Sequence, residues 1–494
     1  MPTSAASRRH TGVGHPLRGP WSAFAAALVL LTAPTTAPAT PPCEGTPCPA
    51  SWLQFDEAQR KRIFALAEDY KAFMHVARTE IATVAESERR ARAAGFRPWA
   101  PGTALPAGSR WYVNNRDKSL ALFVVGTQPA AEGVRVAAAH IDSPHLDVKA
   151  RPLYESQGFA LFQTNFHGGI LNYQWGNTPL ALVGRIARKD GTSIDISVGL
   201  EPDEPVFMIA GLSPHVDADL RERKNRDVLL AEELDPIVGS VPKSADEGVR
   251  AQVTDYLRST YGVGMDDFVS ADLALVPASP PRDVGFDRAM MAMYGQDDRL
   301  GGYSTVKALL ELRNPARTSF VLLADNEEVG NRNNTGAMSD FFEDLIADVI
   351  YQQQGQAYRE PALKRALRAS RVLSIDMNDG INPTWPSAWE TQNAPRVGHG
   401  VNLKVYGQGN NATAEYAAWV RRVLDEAGIQ WQTATYKVGR AGGGTLGGEL
   451  SRRNMDVIDV GVPVLSIHHT YDLSSKVDLW WMYRGTQAFF EAAD

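Results

Sequence analysis

"TSFVLLADNEEVG", residues 318–330, runs from an apolar segment into Asp325, Asn326, Glu327 and Glu328. A short apolar run bounded by turn-forming residues reads as a buried strand. Carboxylates crowded at the end of such a strand repel one another, and desolvation strengthens the repulsion. Either they lie in solvent as a polar loop, or a positive charge sits among them. The choice turns on what the neighbouring strands end in.

Beyond "SPPRDVG" (279–285), strand-like and helix-like runs alternate. "YSTVKALLEL" and "AEYAAWVRRVLDEAG" have helical spacing, whereas "TSFVLLA", "RVLSIDM" and "DVIDVGVPVLSIHH" read as strands. Upstream, "SLALFVVGT" (119–127) and "VRVAAAHID" (134–142) are also strand-like. The stretch 55–95 carries apolar residues at helical spacing up to Gly95, a helix stop. This alternation predicts an α/β fold. Between about 154 and 270 the pattern changes to strand runs such as "LALVGRIAR" and "SIDISVGL", with a charged segment at 217–234.

Ligands of open α/β sheets sit outside the carboxyl ends of the strands. Four runs deliver polar residues there: His140 and Asp142, Glu327 and Glu328, Asp376, and His468 with His469. "YGQDDRLGG" adds Asp297 and Asp298 just before a helical run. Singly, each has an ordinary reading: a hydrogen-bonded histidine, a helix N-cap, a solvated loop. Together, histidines and carboxylates suit divalent zinc, and one carboxylate can bridge two ions. A carboxylate not spent on metal is free to act as general base.

The chain has 494 residues, 44% of them hydrophobic, enough for two or three domains with a sizeable core. A net charge of −7 without a basic block argues against a dedicated nucleic-acid binder. Arg8, Arg9 and Arg18, the apolar run "WSAFAAALVLL" (21–31) and "APA" (37–39) form a signal-peptide pattern over residues 1–39. A periplasmic or secreted protein is expected, with no membrane segment after signal removal. Residues 40–54 read as a linker, in which Cys43 and Cys48 are placed to close a small disulfide loop.

"AAHIDSPHLDVKARP" (138–152), "YGQDDR" (294–299), "DNEEVGN" (325–331), "SIDM" (374–377) and "LSIHH" (465–469) together resemble the aminopeptidase I/aspartyl aminopeptidase family of dizinc metallopeptidases. "NYQWGNTPLALVGRI" (172–186) and "RAGGGTLGGEL" (440–450) resemble its bacterial aminopeptidase I branch. The resemblance implies a three-layer zinc-peptidase sheet with helices on both faces, over 55–153 and 271–494, and a β-rich dimerisation domain inserted at 154–270. It implies two Zn2+ per subunit, with Co2+ or Mn2+ able to replace them. His140 and Asp376 would hold the first ion, Glu328 and His468 the second, and Asp298 would bridge. Glu327 would be general base and Asp142 an orienting residue. His215, in the inserted segment, would reach a neighbouring subunit's site. Apart from the resemblance, the permissive backbone of the glycine-rich loop at Gly443 is expected to let the chain approach substrate. The expected assembly is a homo-oligomer, a dodecamer built from dimers, acting on peptides with a free N-terminus.

The aspartyl branch carries His residues where this chain has Asp379 and Asn382, and "WFDRDL" where it has "WGNTPL" (175–180). The expected substrates therefore begin with neutral or basic residues. The alternatives are an aspartyl aminopeptidase, another dizinc amidohydrolase (carboxypeptidase or deacylase), and a non-catalytic assembly or binding protein.

Overall fold

The computed structural model describes residues 50–494 except 407, 408 and 441. The expected signal peptide 1–39 and Cys43 and Cys48 lie outside the described residues. Seven strands position the site: β1 (Arg135–His140), β2 (His145–Ser156), β3 (Phe159–His167), β4 (Ser319–Ala324), β5 (Arg371–Ile375), β6 (Val401–Lys404) and β7 (Asp456–Gly461).

A nine-stranded sheet forms the main body, and β4, β1, β5 and β7 are adjacent in it in that order. These four strands are mutually parallel. β4, β1 and the inner part of β5 are buried throughout, as a parallel sheet covered on both faces requires. Successive side chains feed opposite cores. Ala137, Ala139, Val321, Leu323 and Ile375 join one core, with Leu300, Tyr303 and Leu309 of helix α1 (Gln296–Glu311) and Val477 of α2 (Lys476–Glu491). Val136, Ala138, Phe320, Leu322 and Val372 join the other, with the helices Phe341–Gln354 and Glu360–Arg368. The period-two alternation of β1 and β4 thus builds three layers.

A second, six-stranded sheet contains β2 and β3, and its neighbouring strands are all antiparallel. Its core, with Leu146, Phe162, Leu182 and Phe268, packs beneath the helix Val249–Tyr261. The segment 154–270 lies within this sheet, whose strands begin at His145 and end at Pro277.

The stretch 55–95 forms two helices, Glu57–Val76 and Glu80–Ala93, instead of one. The break has a local cause: Thr79 turns extended and its hydroxyl accepts a hydrogen bond from Ala82 N–H at 3.3 Å, capping the second helix. Among the described residues, no helix is long and apolar enough to cross a membrane.

Candidate active site

Because β4, β1, β5 and β7 run parallel, their carboxyl ends meet at one edge of the sheet. His140 ends β1, Asp376 follows β5, and the Glu327–Glu328 turn follows β4. His468 lies in the loop after β7 and the short strand Pro463–Leu465. Asn326 and His468 have left-handed backbones, φ +61° and +63°, conformations uncommon for non-glycine residues and frequent at functional sites.

Asp297 lies between the two histidines. His140 Nε2 is 3.4 Å from Asp297 Oδ1 and 3.7 Å from Asp376 Oδ1. His468 Nε2 is 3.2 Å from Asp297 Oδ2 and 3.1 Å from Glu328 Oε1. Two ligand groups result, His140–Asp297–Asp376 and Asp297–Glu328–His468, sharing Asp297. Glu327 falls within reach of His140 and Glu328.

The place shared by the two ligand groups, expected of Asp298, is therefore held by Asp297. Both residues depart from helical φ/ψ at the start of α1, and this turns their side chains apart. Asp298 Oδ1 faces back along its own helix and accepts from Gly301 N–H at 3.2 Å, the i to i+3 contact of an N-cap. Asp297 is anchored through its carbonyl, which accepts from Ser143 Oγ–H at 2.6 Å.

The hydrogen bonds show what the cluster lacks. His140 Nδ1–H donates to Asp142 O and His468 Nδ1–H to Gly169 O, each at 3.0 Å. Each Nε2 lone pair is then left facing two carboxylates. Asp297 Oδ1 and Glu328 Oε1 are buried without a hydrogen-bond partner. Lone pairs converging on lone pairs repel unless cations lie between them. Imidazoles whose other nitrogen donates to a carbonyl, set beside carboxylates, match the donor chemistry of zinc.

The electrostatics show the same demand for positive charge, which without a cation falls on the histidine rings. Burial opposes charge on His140, yet the carboxylates of Asp142, Asp297 and Asp376 outweigh it and hold the ring well above its usual pKa. Burial, followed by repulsion from Asp376, Glu328 and Asp297, pushes the Glu327 carboxyl up to about 8 despite His140. Burial and Asp297 likewise push Asp376 up to about 7.

Asp142 organises the Glu turn. It is fully buried, and its Oδ1 accepts Glu327 N–H at 3.0 Å while Oδ2 accepts Glu328 N–H at 3.1 Å. Asp325 is turned away, accepting from Asn326 N–H and Thr335 Oγ–H, each at 2.8 Å. The four polar residues after β4 thus have separate tasks.

The Aminopeptidase I zinc metalloprotease (M18) family model matches residues 73–490. The chain belongs to the M18 family. It is 38% identical over 453 residues to the Probable M18 family aminopeptidase 1 of Clostridium acetobutylicum, covering 89% of this chain and 97% of that relative. The crystal structure of an M18 family aminopeptidase from Thermotoga maritima superposes with a TM-score of 0.85 at 36% identity, over 90% of this chain and 99% of that one. The mApe1 dodecamer from S. cerevisiae shares the fold, with a TM-score of 0.71 at 20% identity over 86% and 96% of the two chains. This M18 protein is accordingly a zinc metalloaminopeptidase, a peptide hydrolase.

Other expected site residues lie elsewhere in this M18 chain. His215 is exposed in an irregular stretch and joins neither ligand group. Gly443 is half-buried, with open space where a side chain would start. Asp379 follows Asp376 on a short strand paired with Pro463–Val464; burial and Asp297 raise its carboxyl, while His468 and His469 oppose the rise.

Sequence reasoning missed three residues. Asp297 was passed over for its neighbour Asp298. Lys404 ends β6, 3% exposed, where Asp376 and Asp459 sustain its charge against burial. A lysine inside "VNLKV" was the available signal, since lysine is almost never buried without partners. His167, the third, donates from Nε2 to Asp142 Oδ2 at 2.9 Å.

Proposed function

We propose that this aminopeptidase removes neutral or basic N-terminal residues from peptides with the help of two zinc ions. His140 and Asp376 would hold one ion, Glu328 and His468 the other, and Asp297 would touch both. The observation that carries this is the pair of Nε2 atoms facing carboxylate oxygens across Asp297. When bound, the ions supply Lewis acidity that polarises the scissile carbonyl and makes water nucleophilic.

The chain's own residues do the rest. Glu327 takes a proton from the attacking water and returns it to the leaving amine. Its side chain is beside the ligand groups and is not itself fixed by a hydrogen bond to them. Asp142 holds Glu327 and Glu328 in register by accepting both backbone N–H groups. The surplus of carboxylates favours a substrate end carrying a free ammonium.

Asp379 supports the neutral or basic preference, because an acidic side chain entering beside it meets like charge. Lys404 favours a second reading, an aspartyl aminopeptidase, since a buried ammonium near Asp376 is a partner for an acidic side chain. Matched chromogenic substrates of Leu, Lys, Asp and Glu, at about pH 8 where an unperturbed histidine is neutral, decide between them. Highest kcat/KM for Leu or Lys is expected; highest for Asp or Glu overturns the preference. N-blocked versions of the same peptides should resist cleavage, and their hydrolysis would point to a carboxypeptidase or deacylase instead.

We also propose assembly into a dodecamer built from dimers through the inserted sheet, and export with loss of residues 1–39. Light scattering tests the first, with a monomer contradicting it. Intact mass from the native host tests the second, which a mass including residues 1–39 contradicts.

A further inference from the structure

Next to the ligand groups lies a second cluster, His145, Asp147 and His167. His145 and His167 are directly opposed across the β2–β3 pair. Their rings stack at 4.5 Å between centroids and 10° between planes. His145 donates from Nδ1 to Ser143 O at 2.8 Å and from Nε2 to Asp147 Oδ1 at 2.9 Å. Both of its nitrogens are thereby occupied, so the ring cannot swing. His167 Nε2–H donates to Asp142 Oδ2 at 2.9 Å.

We propose that His167 is a positioning residue for the catalytic turn. The Asp142 carboxylate accepts hydrogen bonds from the N–H groups of Glu327 and Glu328 and from the His167 ring, while His140 Nδ1, already donating to the Asp142 carbonyl, stands farther off at 3.4 Å from Oδ1. The two amides belong to the turn being positioned, so they cannot also be the fixed reference. His167 comes from the inserted sheet and supplies that reference. It stops the Asp142 carboxylate from rotating about its Cβ–Cγ bond. Asp142 then sets where Glu327 and Glu328 begin. The His145 ring, locked by Ser143 O and Asp147, fixes the plane of His167 by stacking. This inference rests on the proposed role of Glu327 as base.

Two substitutions separate donor from filler. His167→Phe keeps a ring on His145 and loses the N–H. His167→Gln loses the ring and keeps an amide N–H near the Nε2 position. With the full chain and a Leu chromogenic substrate, His167→Phe should lower kcat about tenfold, as loss of outer partners does in metal sites, with metal content unchanged. KM should stay within about twofold, as expected when the lost interaction matters to the transition state more than to binding. His167→Gln should restore kcat to within about threefold of the unsubstituted chain, because it replaces the one hydrogen bond at issue. Should His167→Phe fail to fold, His167→Asn takes its place; its shorter amide falls short of Asp142, and the same loss is expected. Full activity of His167→Phe overturns the proposal, and so does a His167→Gln variant as impaired as His167→Phe. Loss of bound metal from His145→Gln, read by elemental analysis, also overturns it, because the cluster would then be a cation site. If Glu327→Gln keeps full activity, the underlying reading fails instead, whatever the histidine variants do.

Discussion

The two histidine–carboxylate clusters stand side by side and differ in how their polar atoms are satisfied. Around Asp297, two imidazole nitrogens confront carboxylates at 3.1–3.7 Å, and Asp297 Oδ1 and Glu328 Oε1 are left without hydrogen bonds. Around Asp147, both His145 nitrogens and His167 Nε2 have acceptors at 2.8–2.9 Å. Residue types are the same in both. A set of potential ligands that satisfies itself needs no ion, whereas one that leaves buried oxygens bare requires positive charge. Composition alone does not separate a metal centre from a hydrogen-bonded scaffold; unsatisfied atoms do.

That contrast breaks first at Asp297. Asp297→Ala should abolish hydrolysis and strip both ions, while Asp298→Ala, removing a carboxylate that joins neither ligand group, should keep its metal. Elemental analysis of both variants checks this, and two metals retained in Asp297→Ala would refute the bridge. Next, Glu327→Gln should lower kcat by about 10²–10⁴-fold, the usual worth of a general base, with metal content intact. Comparable turnover in the metal-replete variant would remove Glu327 from the chemistry.

Chelation sharpens the difference further. Ions that bind only the folded chain at about 100 times Kd contribute about 2.7 kcal/mol. Stripping them should lower the melting temperature by several degrees, and equally so in His145→Gln. A chelator effect that disappears in His145→Gln would move the cation to the second cluster.

A last effect, on stability alone, concerns pH. Burial disfavours charge on His145, but its hydrogen bond and attraction to Asp147 outweigh this and raise its pKa from 6.5 to about 9. A pKa raised by folding means the folded state holds the proton more tightly. The stabilisation is complete below about 6.5 and is lost as pH rises through about 9. It is about 3–4 kcal/mol at most, at about 1.4 kcal/mol per unit. Denaturant unfolding at pH 6 and pH 9.5 should show this loss in the unsubstituted chain and less of it in His145→Gln. An identical pH response in both would remove His145 as its source.

The parallel strands, their polar carboxyl ends and the inserted β segment were legible because each rests on local pattern: apolar runs, turn residues, and histidine or acid after the run. His140, Glu327, Glu328, Asp376 and His468 all stand at such ends. The choice between Asp297 and Asp298 was not legible. It depends on backbone angles at one kink, where φ, ψ of −85°, 113° and −109°, 30° send adjacent side chains apart. The helical reading of 55–95 held except for a break without glycine or proline, where the Thr79 cap competes with continuation. His167 was hidden because its partner Asp142 lies 25 residues away, brought near only by strand pairing.

The Gly169 carbonyl, which receives the His468 Nδ1–H, belongs like His167 to the segment leading out of β3. The inserted sheet is thus no detachable module. It supplies the outer supports of one proposed ligand and of the carboxylate beneath the proposed base. Excising it would leave a three-layer body with its strands in place and its centre unbraced on one side. Substitutions at its roots, near His145 and His167–Gly169, reach the centre through these supports, whereas its far loops make no such contact.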